Sequence, residues 1–248
     1  MDTLTALAAS GMRSRLESLD ILANNLANTN TSGYKADHEA YQLYVGSDSI
    51  DELTGDPLPP SSMPALGRDW IDLSQGTLIS TGNMSDVALA GPGLFAVQTT
   101  SGKLYTRNGS FRVSKQGQLT TPEGFAFLGT SGQPITVDPA QPWTVSPNGT
   151  VSQSGTAVGT LQVVEPESPS ALTKQGGSYF AVEPGSNMSA VADPSLMQGK
   201  VEGSNVPAPQ AAVNLVGVMR QFEMLQKAVR ISVDMNKQAV EEVAKVTS

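Results

Sequence analysis

The side chains that most often carry chemistry near neutral pH are scarce in this sequence. His38 is the single histidine, and cysteine is absent. A Ser/His/acid site would need His38 beside a nucleophile, yet no Gly-x-Ser-x-Gly elbow is present. A zinc site would have only one histidine and carboxylates to draw on, which is not the usual donor set. There is no Gly-x-x-x-x-Gly-Lys-Ser/Thr phosphate loop. Gly91-Pro92-Gly93 lacks the spacing of a dinucleotide fingerprint and reads as a tight turn between strands. Asp48, Asp51, Glu52 and Asp56 form an acidic loop without EF-hand spacing. Paired carboxylates that cleave glycosides can meet from anywhere in a chain, so a glycan-active β enzyme stands as one alternative. Otherwise no catalytic residue, cofactor or metal is expected.

The totals narrow the partners. Fifteen basic residues against 23 acidic ones leave a net charge of −8, which argues against nucleic acid and anionic membrane as partners. The start, MDTLTALAASGMRSR, has an acid at position 2 and no basic region ahead of a hydrophobic run, so a standard cleaved signal peptide is not expected. No window approaches 18 uninterrupted apolar residues, so no membrane insertion is expected.

With little chemistry on offer, the elements themselves carry the reading. Between Gln210 and Val246, apolar residues fall at Leu215, Met219, Phe222, Val229, Val233, Val240 and Val243. This heptad-like stripe spans four heptads without a proline, and a helix that long measures about 50 Å. Such a rod needs a partner, and the chain holds one good candidate, residues 3–27. There Met12, Leu16, Leu19, Ala23 and Leu26 step by four and three, while Leu4, Leu7 and Leu22 widen the face. That helix should fail near Asn28, where Asn24, Asn25, Asn28 and Asn30 compete for the backbone and Gly33 can take a left-handed turn. The two ends are expected to pair as a coiled-coil-like unit. The alternative is two surface helices docked on the central region.

The middle of the chain obeys another grammar. Residues 36–69 carry Tyr41, Tyr44, Pro57, Pro59, Pro60 and Pro64 and read as an extended linker. Residues 70–184 are short runs punctuated by glycine. Leu94-Phe95-Ala96-Val97 and Leu104-Tyr105-Thr106-Arg107 are strand candidates joined by Ser101-Gly102. Asn108-Gly109 is a strong hairpin signal, and Pro147-Asn148-Gly149 marks another turn. Tyr179-Phe180-Ala181-Val182 is a late strand. Residues 185–204 form an extended return. The expected fold is α+β: residues 1–35 and 205–248 form a helical assembly domain from both termini, with an irregular, mostly antiparallel β domain inserted between them.

Two paired helices still expose apolar flanks, because Leu4, Leu7, Leu22, Leu215, Val218 and Leu225 cannot all face one seam. Exposed stripes of this kind mark assembly surfaces. An open helical polymer and a closed oligomer are both compatible with the pattern.

Motifs add a resemblance. The stretch from Leu22 to Lys35, LANNLANTNTSGYK, closely resembles the signature of bacterial flagellar rod and hook proteins. Ser74-Gln75-Gly76-Thr77-Leu78, Thr81-Gly82-Asn83-Met84-Ser85-Asp86, Gly91-Pro92-Gly93-Leu94-Phe95, Tyr105-Thr106-Arg107-Asn108-Gly109-Ser110-Phe111 and Gln198-Gly199-Lys200-Val201-Glu202-Gly203-Ser204-Asn205-Val206 are similar to further family motifs, in the family's order. Length and the Arg220-Gln221-Phe222-Glu223-Met224 segment look most like the proximal-rod type. Pro207-Ala208-Pro209 and Ala211-Ala212-Val213-Asn214 depart from the common pattern at the start of the last helix.

The resemblance implies a structural, non-enzymatic subunit of the basal-body rod that assembles with copies of itself and other rod proteins. It implies export by the flagellar type III apparatus, without a cleaved leader, to the periplasmic rod. A distal-rod or hook-type axial protein, or a cell-surface β binding module, is the alternative. The residues expected to carry assembly or the family motif are Met12, Leu16, Leu19, Asn24, Asn25, Leu26, Asn28, Gly33, Tyr34, Asn205, Leu215, Met219, Phe222, Val229 and Val233. Asn24 and Asn28 share a face and are expected to bond to neighbouring backbone, fixing register.

Overall fold

The computed structural model describes residues 3–39, 41–45, 62–66 and 70–246. The acidic residues Asp48, Asp51, Glu52 and Asp56 and the prolines 57, 59 and 60 lie outside them, as do the side chains of Leu4, Leu7, Tyr41, Tyr44, Val240 and Val243. The fold is α+β. A helix α1 (Thr3–Ala27) and a longer helix α2 (Ala208–Val246) flank a large, irregular, mostly antiparallel β region. The chain divides into two compact units. One contains residues 1–26, 37–69 and 208–248; the other contains residues 27–36 and 70–207.

In the first unit, Gly11 of α1 lies against α2: a Cβ there would stand 3.7 Å from Leu225 Cδ1. The segments that follow α1 and precede α2 meet through the Asn205 amide, which donates to the Tyr34 carbonyl at 3.4 Å. Gly11 and Leu225 sit at nearly equal distances from those two helix ends, so the pair runs antiparallel. The buried or half-buried row on α2 is Ala211, Leu215, Val218, Phe222, Leu225, Val229 and Ser232, a strict four–three alternation. On α1 the matching row is Gly11, Arg15, Ser18, Leu22 and Asn25. Ser18 is fully buried there, and its hydroxyl donates to the Ser14 carbonyl at 3.0 Å. The first unit also contains a hairpin of Tyr41–Val45 with Ser62–Leu66.

The second unit is built on one sheet. Its strands lie in the order Leu172–Lys174, Tyr179–Val182, Gly102–Thr106, Leu94–Thr99, Ala126–Phe127, Leu119–Thr120 and Arg112–Val113. Val163–Pro166 pairs with both Leu94–Thr99 and Met188–Ala190. All these pairings are antiparallel. Both faces of the sheet are covered, so the run Leu94-Phe95-Ala96-Val97 is buried throughout instead of alternating. Successive side chains serve different cores. Leu94 packs with Ile71, Leu172 and Phe180. Phe95 and Val97 join Phe111, Phe127, Trp143 and Leu161. Phe95 meets Phe111 and Phe127 edge-on at 5.7 and 5.9 Å between centroids, a favoured aromatic geometry.

Ser101 closes the hairpin between Leu94–Thr99 and Gly102–Thr106, as the sequence suggests. Asn108-Gly109 does not make a hairpin, because Arg112–Val113 pairs with Leu119–Thr120 instead. Neither residue takes the positive φ of a type I′ turn. Gly109 is instead a crossing point. Its carbonyl accepts from the Val87 amide at 2.8 Å, and a Cβ there would fall 1.6 Å from the Val87 oxygen. Close approach, and not turn geometry, requires this glycine.

A buried polar junction as the candidate functional site

The turn after α1 begins with Asn28, whose side-chain oxygen accepts from the Thr31 hydroxyl at 3.0 Å. Gly33 follows with φ +69. A Cβ there would fall 2.3 Å from the Asn108 nitrogen, so both conformation and space demand glycine. The Gly33 amide donates to the Glu202 carbonyl at 2.8 Å. Tyr34 and Lys35, the next two residues, are carried into the interior.

Glu202 is the hub. Its Oε1 accepts from Lys35 Nζ at 2.6 Å and from the Gly76 amide at 2.9 Å. Its Oε2 accepts from Arg107 Nε at 2.5 Å. All three charged side chains are almost fully buried. The rest of the Arg107 guanidinium is taken up by the carbonyls of Leu89, Gly91 and Gly93. The glycine-rich turn at 91–93 therefore acts as a carbonyl cradle for a cation. Lys35 also donates to the Ser74 carbonyl at 2.5 Å. Burial pulls the Lys35 pKa below its usual value, although its bond to Glu202 opposes that shift.

Asn205 completes the junction. Its Oδ1 accepts from the Ala36 amide at 2.8 Å, and its Nδ2 donates to the Asp72 carbonyl at 2.8 Å and towards Ser74. Lys174 covers the assembly from outside. Its ammonium lies 3.9 Å from the centre of the Tyr34 ring and donates to the Lys35 carbonyl at 2.5 Å. Gln75 ties in the next turn by bonding the Leu89 carbonyl and the Gly91 amide. Gln198 ties the segment before Glu202 to Met84 and Val145.

The arrangement holds chain segments together, not a substrate. The donors of Lys35 and Arg107 are aimed at protein acceptors. The adjoining cavity, lined by Lys35, Leu73, Arg107 and Glu165, measures about 40 Å³, room for one or two waters. His38 is exposed. Among the described residues no cluster of His, Asp or Glu could hold a metal, and no helix is long and apolar enough to cross a membrane.

The assembly residues expected from sequence separate in space. Leu215, Phe222 and Val229 lie half-buried in the α2 seam, while Met219 and Val233 are exposed. On α1, Met12, Leu19 and Leu26 are half-buried, and Leu16 is 48% exposed. Their stripe is offset by one residue from the Gly11–Ser18–Asn25 row, a rotation of about 100°. Of the asparagines, Asn25 is the buried one. Its amide donates to the Asp37 carbonyl at 2.8 Å and accepts from the Asp37 amide at 3.0 Å. Asn24 is exposed. Sequence reasoning singled out Gly33, Tyr34 and Asn205 but passed over Lys35, Arg107 and Glu202. All three lie inside the motif stretches quoted above, and that is the signal that could have found them.

An α+β chain with helical ends, whose motif residues converge on one buried polar junction between chain segments, defines a structural class of protein. Comparison with known proteins agrees. Residues 7–35 match the family described as flagella basal body rod protein. Residues 88–153 match the flagellar hook protein FlgE/F/G D1 domain, and residues 197–242 match the flagellar basal body rod FlgEFG protein C-terminal family. The chain is 30% identical to the flagellar basal-body rod protein FlgF of Caulobacter vibrioides, over 99% of this chain and all of the relative. It is 32% identical to FlgF of Salmonella typhimurium, with 96% of each chain covered. It is also 30% identical to FlgG of Agrobacterium fabrum, over 93% of this chain and 95% of the relative. The chain belongs to the flagellar basal-body rod and hook protein family, a family of structural proteins and not of enzymes.

Proposed function

We propose that the chain is a subunit of the proximal flagellar rod, which assembles axially through its terminal helices with copies of itself and other rod proteins and transmits torque. The observation that carries this reading is the pair of apolar stripes outside the helix seam. Leu16 on α1 and Val213, Met219 and Met224 on α2 are exposed, too many for a helix that ends its life in water. The proximal assignment is supported by FlgF relatives that match over nearly their whole length. A distal-rod role is favoured by one specific observation, the similar identity to FlgG. In this reading the chain reaches the periplasmic rod through the flagellar type III export apparatus.

The test is immunogold labelling of the protein on purified hook–basal bodies. Label at the inner-membrane end of the rod supports the proximal role. Label further out makes it a distal-rod or hook-type subunit, and basal bodies without label overturn the proposal.

A further inference from the structure

The exposed surface of α2 is unusual in its chemistry as well as its apolarity. At about 100° per residue, Val213, Met224, Ile231 and Met235 fall on one face, opposite Phe222 and the buried seam. Met224 and Met235 are 63% and 64% exposed, and Met219, on the flank of the seam, is 47% exposed. The chain has nine methionines and no cysteine. No thiol competes for an oxidant, so thioether sulfur is the softest reactive group that the surface offers.

We propose that Met219, Met224 and Met235 are oxidation sites whose conversion to sulfoxide disables the assembly surface of α2. This rests on the assembly reading above. The oxidant is a peroxide. Its O–O bond breaks as one oxygen is transferred to the methionine sulfur, which is oxidised by two electrons, and water leaves when the peroxide is hydrogen peroxide. The product is a polar sulfoxide in place of a flexible apolar tip. A surface that must be desolvated against a second copy then carries three strong acceptors without assigned donors, and each opposes burial. The helix seam is made of Ala, Leu, Val, Phe and Ser on α2 and of Gly, Arg, Ser, Leu and Asn on α1. It contains no methionine, so oxidation leaves the antiparallel pair intact while changing its outer face.

The test uses the full-length chain and hydrogen peroxide. Peptide mass spectrometry of the dilute protein first reads the oxidation rate at each methionine. Met224 and Met235 should react faster than half-buried Met12 and Met188; equal rates overturn the accessibility argument whether or not the chain assembles. Assembly is then followed by sedimentation, and the fold by circular dichroism. Oxidised wild type should need at least about tenfold more protein to assemble, with its helix signal unchanged. The M219L/M224L/M235L variant should assemble normally after the same treatment. A variant carrying M84L and M197L, which replaces exposed methionines of the β region, should remain sensitive. Oxidised wild type that assembles like the untreated chain overturns the proposal, as does a triple leucine variant that loses assembly equally. Untreated chain that never assembles overturns the assembly reading itself, and this proposal with it.

Discussion

Glu202 illustrates how one residue can hold together distant parts of a chain. Its carboxylate collects Lys35, Gly76 and Arg107, and its carbonyl collects Gly33. A buried pair is weak evidence of net stabilisation, but breaking one is costly because the remaining charges stay desolvated. Glu202→Gln should therefore lower unfolding free energy by about 3–5 kcal/mol, read from urea denaturation of the full-length chain; a loss below about 1 kcal/mol would show that the site is wet. Lys35 supplies a pH test. Its native pKa lies below the ordinary 10.5. As pH rises, the folded chain gives up this proton before the unfolded chain does. Its contribution to stability should thus increase from the native pKa up to 10.5 and be smallest near neutrality. The difference in melting temperature between wild type and Lys35→Met should widen over that alkaline range, and a difference that is flat with pH would contradict the shift.

The helices raise a question of which face meets which partner. A four–three pattern is visible on α1 at Met12, Leu16, Leu19, Ala23 and Leu26. The row beside α2 is nevertheless the neighbouring one, with Gly11 and Ser18 in it. Two rows of similar period lie one residue apart, and periodicity alone cannot say which is inside. Phe222 is half-buried, so Phe222→Ala should cost about 1.5–2.5 kcal/mol, less than the 3–5 or so of a fully buried phenylalanine. Thermal melting of the helix signal measures it. Gly11→Ala has the opposite sign. A methyl there meets Leu225 at 3.7 Å, an ordinary contact, and alanine is the better helix former by about 1 kcal/mol. The variant should be stabilised by about 0.5–1 kcal/mol, and a drop in melting temperature would mean a tighter seam than this one.

At the scale of the whole molecule, the β region depends on chain far from its strands. Leu196–Gln198 pairs with Val87–Leu89, and Lys200–Glu202 pairs with Leu78–Ser80. Leu196 also belongs to the main core. A fragment of residues 27–207 should keep its β signal and melt cooperatively. One of residues 70–184 should not, because it leaves Arg107 buried without Glu202 and uncovers the Val87–Leu89 strand. Circular dichroism melting of the two fragments decides this, and equal stability would show that the junction is dispensable.

Much was legible in the residues alone. Helical ends, a glycine-punctuated β centre, the left-handed Gly33 and the absence of familiar catalytic motifs follow from periodicity and residue type, which act over a few positions. The motifs also pointed to the family. What sequence could not show is how polar side chains pair across long separations. Lys35 meets Glu202 across 167 positions, and Arg107 meets it across 95. Asn108-Gly109 looked like a hairpin because its local preference is for one, but the crossing of Val87 overrode that preference. Local torsional and hydrophobic preferences are written in neighbouring residues. The pairing of buried charges, and the choice between two adjacent helix faces, depends on where the returning chain brings its partners, and only the tertiary structure decides that.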